Sequence, residues 1–176
     1  MKKLLIFLVL TVSLFGCANQ GTMYQTNMGK VVEDTELFHD FESIDISGGN
    51  ISHKFPFTNT DEQNLTVYGL RTSCMCTKAG LVNSKGVQTL DSTKRLTDQN
   101  PSVILAGEKF DIAVTYDPMA HGPNSVGGLN RSITLFTSSK DNGRTSVFDP
   151  ESGLSFTQMN IKGEVMYTED FNSKKI

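Results

Sequence analysis

Apolar and polar residues alternate in short runs along most of this chain. "ISHKFPFT" places Ile51, His53, Phe55 and Phe57 on one face, and "NLTVYGL" sets Leu65 and Val67 against Thr66 and Tyr68. "KFDIAVTY" aligns Phe110, Ile112, Val114 and Tyr116; "RSITLFTS" aligns Ile133 and Leu135; "FTQMNIKGEVMY" aligns Met159, Ile161 and Val165. A period of two in runs of this length predicts half-buried antiparallel strands. Segments rich in turn formers separate them: "NTDEQN", "DPMAHGPNSVGG", "SSKDNG" and "DPESG". No long helical stripe follows the first 17 residues, so the pattern predicts an all-β sandwich or barrel. Gly163, inside the last run, marks a bulge or a close backbone approach. Upstream, the acidic patch "VVEDTELFHDFESIDIS" reads either as a helix turn or as a strand entry, the latter on the spacing of Phe41, Ile44 and Ile46.

The amino terminus follows a different rule. Lys2 and Lys3 precede an apolar run from Leu4 to Phe15 that only Thr11 and Ser13 interrupt. This run is short for a bilayer span and ends in a small residue, as an export signal does. "LFGC", Leu14 to Cys17, resembles the lipobox of bacterial lipoproteins, with Phe15 bulkier than usual at its position. That resemblance implies removal of residues 1–16 and lipid attachment at Cys17. Ala18, rather than aspartate, follows the anchor and leaves outer-membrane sorting open. Polar residues from Ala18 to Lys30 read as a tether, which belongs to a 17–43 segment ahead of one domain at 44–168 and a tail at 169–176. A tether of a dozen such residues reaches roughly 20 Å on average.

Charge then narrows the partners. The chain has 16 basic and 19 acidic residues, a net −3. Loss of Lys2 and Lys3 with the signal leaves 14 basic against 19 acidic, a net −5. No segment clusters Lys and Arg, so nucleic acid is excluded as an expected partner, and membrane attachment falls to the lipid.

The stretch "FPFTNTDEQNLTVYGLRTSCMCT" combines an apolar strand, an Asn-Thr turn, a second strand and a Ser-Cys-x-Cys-Thr motif. It resembles the opening of the DUF1573 domain family. "AGEKFDIAVTYDP" resembles that family's next block, with Ala106 in place of the usual proline, and "RSITLFTSS" and "MNIKGEV" are similar to its closing strands. The resemblance runs from about Ile51 to Val165. It implies an immunoglobulin-like antiparallel β-sandwich, akin to domains of cilium-associated and pilus-chaperone proteins, and it implies no established reaction. Two stretches exceed the family pattern: 29 residues at 78–106, with room for one extra strand near Val87 to Leu90, and the Gly- and Pro-rich 117–130. Loops of such length are often functional or mobile.

Cys74 and Cys76 carry the most pointed chemistry. With Cys17 acylated, they are an even pair in an exported, oxidising setting. On an extended strand their Cα atoms would lie about 6.6 Å apart, whereas a disulfide prefers roughly 5.5–6 Å. A bridge therefore needs a bent backbone and would be readily reduced. The same pair as thiolates suits a soft metal ion, with Met75 or His121 as a further donor, but two sulfurs cannot complete a zinc tetrahedron. Buried thiols, a strained bridge, metal binding and redox chemistry all remain open on these residues alone. No nucleophile elbow, "GxxxxGK" or "HExxH" is present. His39, His53 and His121 are far apart in sequence; His53 falls on an apolar face and reads as a packed boundary histidine.

These readings converge on a lipid-anchored protein of the bacterial cell envelope. Its immunoglobulin-like domain is expected to act as a binding or structural module for an envelope protein or peptide, not as an enzyme, and without a cofactor. The alternative is a copper-binding, Cu(I), or thiol-redox protein that uses Cys74 and Cys76.

Overall fold

A computed structural model of the protein describes residues 36–138 and 155–174. Nine strands form two sheets. They are β1 (Phe38–Asp45), β2 (Ile51–Thr58), β3 (Leu65–Thr72), β4 (Thr77–Asn83), β5 (Gln88–Asp91), β6 (Ser102–Ile104), β7 (Lys109–Tyr116), β8 (Gly127–Ser138) and β9 (Ser155–Met166). A short helix, α1 (Thr168–Lys174), follows. Among the described residues no helix is long and apolar enough to cross a membrane.

The alternation in sequence becomes the inside and outside of these sheets. In β7, Phe110, Ile112, Val114 and Tyr116 are buried, while the intervening residues are partly or fully exposed. Phe55 and Phe57 of β2, Ile133 and Leu135 of β8, and Met159, Ile161 and Val165 of β9 meet them in one core. Each such side chain, fully buried, contributes about 1.5–3 kcal/mol by leaving water. In β3 the alternation breaks at a bulge between Val67 and Gly69, and the residues from Val67 to Leu70 are all buried.

The sheets run β1-β9-β8-β3-β6 and β2-β7-β4-β5. In an immunoglobulin sandwich the second, fifth and fourth strands pair in one sheet, and the third, sixth and seventh in the other. Here β2-β7-β4 and β3-β8-β9 take those places, so the fold is an immunoglobulin-like sandwich. One pair departs from the antiparallel expectation: β1 lies parallel to β9. A register shift between Asp40 and Ser43, with Glu42 at φ 59°, inserts an extra residue in β1. That bulge accounts for the three-residue step from Phe41 to Ile44. Gly163 of β9 is the predicted close approach, since a Cβ there would lie 2.7 Å from Ile44 Cδ1.

Four boundaries differ from expectation. The sandwich already includes Phe38, ahead of residue 44, because β1 pairs with β9 along its whole length. Residues 169–174, expected as tail, continue α1, tied back where the Thr168 hydroxyl donates to Asp45 Oδ1 at 2.7 Å. The 78–106 stretch is not one surface insertion. Its first part is β4, an internal strand whose Thr77, Ala79 and Leu81 are buried. The strand foreseen near Val87 to Leu90 is β5, with Leu90 inside and Val87 exposed. Likewise the last four residues of 117–130 begin β8. The turns "SSKDNG" and "DPESG" lie outside the described residues, apart from Ser138.

The chain between β5 and β6 closes one flank. Leu96 packs so tightly on Gly69 that a Cβ there would come within 2.7 Å of its Cδ2. Buried Gln99 then acts as a surrogate strand: Leu70 N–H donates to its Oε1 at 3.0 Å, and its Nε2 donates to the Leu70 and Lys94 carbonyls at 3.0 and 3.1 Å. An edge that would otherwise present unpaired backbone groups is thereby satisfied. On the other flank, the outermost strands β1 and β2 are joined by a stack of His39 on His53, ring centroids 3.6 Å apart.

Candidate thiol and histidine site

Three connections between the sheets gather at one end of the sandwich. Tyr116, at the end of β7, is in register with both Ile51, at the start of β2, and Thr77, at the start of β4. The turn before β2, the β3–β4 crossing and the β7–β8 crossing therefore lie together. The cysteines occupy the second of these.

The β3–β4 crossing is a tight turn, not extended strand. Thr77 N–H donates to the Cys74 carbonyl at 3.1 Å, and the Thr72 hydroxyl donates to the same oxygen at 3.0 Å. Ser73 N–H reaches the Ser132 carbonyl at 2.9 Å, and Ser132 N–H returns a bond to Ser73 Oγ at 3.0 Å. This clasp fixes the turn against β8. Met75, at its crest, is 85% exposed. Cys76 turns inward to 2% exposure and joins the core, with Cys74 packed partly against it. The 6.6 Å spacing of an extended strand does not apply here. The two Cα atoms are 5.3 Å apart, and a disulfide joins Cys74 to Cys76. The bent backbone that a bridge requires is supplied by the turn.

Two cationic or titratable side chains converge on the sulfurs. The β7–β8 loop is a series of turns in which Ala120 N–H meets the Asp117 carbonyl at 3.3 Å and Gly122 N–H meets the Met119 carbonyl at 2.9 Å. Asp117 N–H ties the loop to the Cys76 carbonyl at 2.9 Å, and the Ser125 hydroxyl donates to the His121 carbonyl at 3.0 Å. So held, exposed His121 brings Nε2 to 3.3 Å from Cys74 Sγ. From β8, Arg131 donates Nε–H to Cys76 Sγ at 3.4 Å. Cys74 Sγ, Cys76 Sγ and a His121 ring nitrogen all lie within 4.8 Å of one another. Beside them, burial pushes the Tyr116 phenol above its usual range, a trend that Arg131 opposes.

The structure thus brings Cys74, Cys76 and His121 together and leaves His39 and His53 on the opposite strands' flank. Met75 remains in the turn but directs its side chain to solvent. Cys17 lies outside the described residues. Arg131 was not foreseen, though the sequence held a signal for it. The inward-facing series Leu129, Ile133, Leu135 includes position 131, so an arginine there lies on the inner face of β8. A cavity of about 440 Å³ elsewhere on the surface is lined by Leu70, Arg71, Lys94, Arg95 and Leu96 and does not include the cysteines.

An immunoglobulin-like sandwich with a cysteine pair at a sheet-to-sheet turn is the class that the fold and site define. A family described as a protein of unknown function, DUF1573, matches residues 32–88, which span β1 to β4 and the Cys74–Cys76 turn. No protein of curated function matches the chain. Among solved structures, the ASH/PapD-like domain 7 of human CEP192 is similar, with 8% identity over 90% of this chain and 99% of that one, at a TM-score of 0.45. AggA, the major subunit of aggregative adherence fimbriae type I of Escherichia coli, is similar with 12% identity over 80% and 97%, at a TM-score of 0.43. A protein of unknown function from Porphyromonas gingivalis W83 is similar with 13% identity and a TM-score of 0.46; the match covers 74% of this chain and 45% of that one. These likenesses concern the fold alone.

Proposed function

We propose that this chain is a cell-envelope binding module, held to a bacterial membrane by lipid on Cys17, that takes its ligand at the thiol–histidine end of the sandwich. The convergence of His121 Nε2 on Cys74 Sγ at 3.3 Å carries this reading, because a loop from elsewhere in the chain is folded back to present an imidazole to the sulfur pair. Arg131 adds a positive charge beside Cys76, which favours negative charge on that sulfur once the bridge opens. The "LFGC" segment supports the anchor.

The pair is the responsive element of the site. An external dithiol opens the bridge by exchange: its two sulfurs join in a disulfide, and its two hydrogens pass to the sulfurs of Cys74 and Cys76. Because the turn and β8 hold the backbone on both sides, the sandwich keeps its fold when the bridge opens. Mild dithiothreitol treatment of the folded protein, followed by maleimide labelling and mass measurement, should tag half-buried Cys74, and buried Cys76 on later denaturation, with the far-ultraviolet circular dichroism of the reduced protein unchanged. A pair that is labelled only after denaturation would overturn the site reading. For the anchor, a fatty-acid probe should label the wild-type protein in cells and not Cys17→Ser. An equally labelled Cys17→Ser protein would refute it.

A further inference from the structure

We propose that the reduced site is a three-donor centre for a soft monovalent metal ion, Cu(I), with Cys74 Sγ, Cys76 Sγ and a His121 ring nitrogen as ligands and the disulfide as its closed state. The inference rests on the thiol–histidine site proposed above and names the ligand it takes.

Geometry comes first. Three donors about 2.3 Å from a central ion, in a plane around it, stand roughly 4 Å from one another. The three donor atoms here are all within 4.8 Å of one another. His121 Nε2 already stands 3.3 Å from Cys74 Sγ, and the two sulfurs, joined in the disulfide, must part to that spacing once reduced. The donors also come from two different connections, and the second is tied directly to the first. The cysteine turn is fixed by the Ser73–Ser132 clasp, and the histidine loop by the Asp117 bond to Cys76. Such a site is assembled by the fold and not by the ion.

Donor chemistry selects the metal class. Two thiolates with one imidazole are a soft set, which favours Cu(I). A structural zinc site needs four ligands, and among the described residues no fourth histidine, cysteine or carboxylate joins the group. Charge bookkeeping agrees. Two thiolates and a monovalent cation sum to minus one, and Arg131, donating to Cys76 Sγ, brings the cluster to neutrality. Access is graded as an ion-loading site requires: Cys76 is buried, Cys74 half-buried and His121 exposed. Two large apolar thioethers sit on the same two connections, Met75 at 85% exposure and Met119 at 42%. They place soft sulfur atoms on the surface where an incoming ion arrives.

The redox state then acts as a gate. In the disulfide each sulfur is bonded to the other and neither is a thiolate donor. Reduction by an external dithiol, by the balanced exchange described above, releases two thiols, and metal binding displaces their protons to solvent.

The test uses the full chain with Cys17→Ser, so that every thiol counted belongs to the pair. After anaerobic reduction and removal of reductant, thiols are counted and the protein is titrated against the Cu(I)–bicinchoninate complex. Two thiols and withdrawal of one equivalent of Cu(I) are expected, with none withdrawn by the oxidised protein. His121→Ala should weaken binding at least tenfold with unchanged circular dichroism, and Cys74→Ser should abolish it. X-ray absorption should give two sulfur neighbours and one nitrogen, and a tenfold excess of Zn(II) should not displace the ion. Two thiols without copper binding would overturn this inference and leave the redox reading standing. No thiols after reduction would overturn both. Undiminished binding by His121→Ala, or loss of copper to zinc, would overturn the three-donor site.

Discussion

Asn59 offers the sharpest test of how the end opposite the cysteines is held. It is fully buried. Its Nδ2 donates to the carbonyls of Gln63, Ile104 and Leu105 at 3.0, 3.2 and 3.1 Å, one of its two hydrogens being shared between two of them, and its Oδ1 accepts from Asp61 N–H at 3.2 Å. One side chain thus stitches the β2–β3 turn to the segment between β6 and β7. Asn59→Ala deletes all four bonds. At a net value of roughly 0.5–1.5 kcal/mol each, with some compensation by water, the expected loss is about 2–4 kcal/mol. Asn59→Asp keeps shape and the Asp61 bond but points a carboxylate at three carbonyl oxygens. Burial and those dipoles disfavour its charge, so at pH 7 it should be less stable than Ala by about 1 kcal/mol or more. In the folded protein that carboxyl titrates above its unfolded value near 3.9. Between those two values the folded variant binds more protons than the unfolded chain, so the deficit against Ala shrinks as pH falls toward about 4. Urea unfolding of both variants at pH 7 and pH 4.5, followed by circular dichroism, measures this. An Asp variant as stable as Ala at pH 7, or a gap unchanged with pH, would refute the donor role assigned to Asn59.

Further outcomes follow from other parts of the structure. Gln99→Ala, by removing two hydrogen bonds to Leu70 of β3 and one to Lys94, should cost about 1–3 kcal/mol and speed hydrogen exchange at the Leu70 amide; unchanged exchange there would count against edge closure. Burial, and secondarily His39, hold the His53 imidazole below its ordinary 6.5, while Glu36 pulls the other way. The unfolded chain therefore binds more protons just below that value, and stability is lost as pH falls through this window. Melting curves from pH 8 to 5.5 should slope downward for wild type and be flatter for His53→Gln, and equal slopes would exclude the buried His53 imidazole as the cause. The Cys74→Ala, Cys76→Ala double variant should fold and lose about 1–3 kcal/mol from packing. Reductant alone should barely move the wild-type melting temperature, since the bridge spans one residue and closes a very small loop.

The strands legible in sequence were those whose inward residues are large. Phe110, Ile112 and Val114 cannot be mistaken, and all are buried. β4 reads as insertion in sequence because its inward residues are Thr77, Ala79 and Leu81, only one of them bulky, and because Gly80 sits among them. That glycine is explained only by tertiary structure, since a Cβ there would strike the Gln88 side chain at 2.6 Å. β6 is three residues long and owes its existence to pairing with β3, which no local pattern encodes. The cysteine pair was evident from the motif, but its geometry was not. Whether two residues in Cys-x-Cys share an extended face or a turn depends on the Thr77-to-Cys74 bond and on the clasp to Ser132. His121, 45 residues beyond Cys76 in sequence, meets the pair only because β7 returns to the same end of the sandwich.

The parallel pairing of β1 with β9 bears on how the domain would carry mechanical load. In a parallel pair the start of one strand and the end of the other lie at opposite ends. Tension applied between Phe38 and Met166 therefore slides the two strands past one another instead of peeling them apart. The slanted, evenly spaced bonds of a parallel ladder then share the strain together. Six register pairs, from Phe38–Asn160 to Asp45–Met166, stand in that line, and the Lys162–Asp40 ion pair at 3.1 Å bridges it. Forced extension is governed by the unfolding rate and not by equilibrium stability. A domain tugged from a tether ahead of β1 would thus yield in one abrupt rupture at high force, with the hydrophobic interior still closed until that moment.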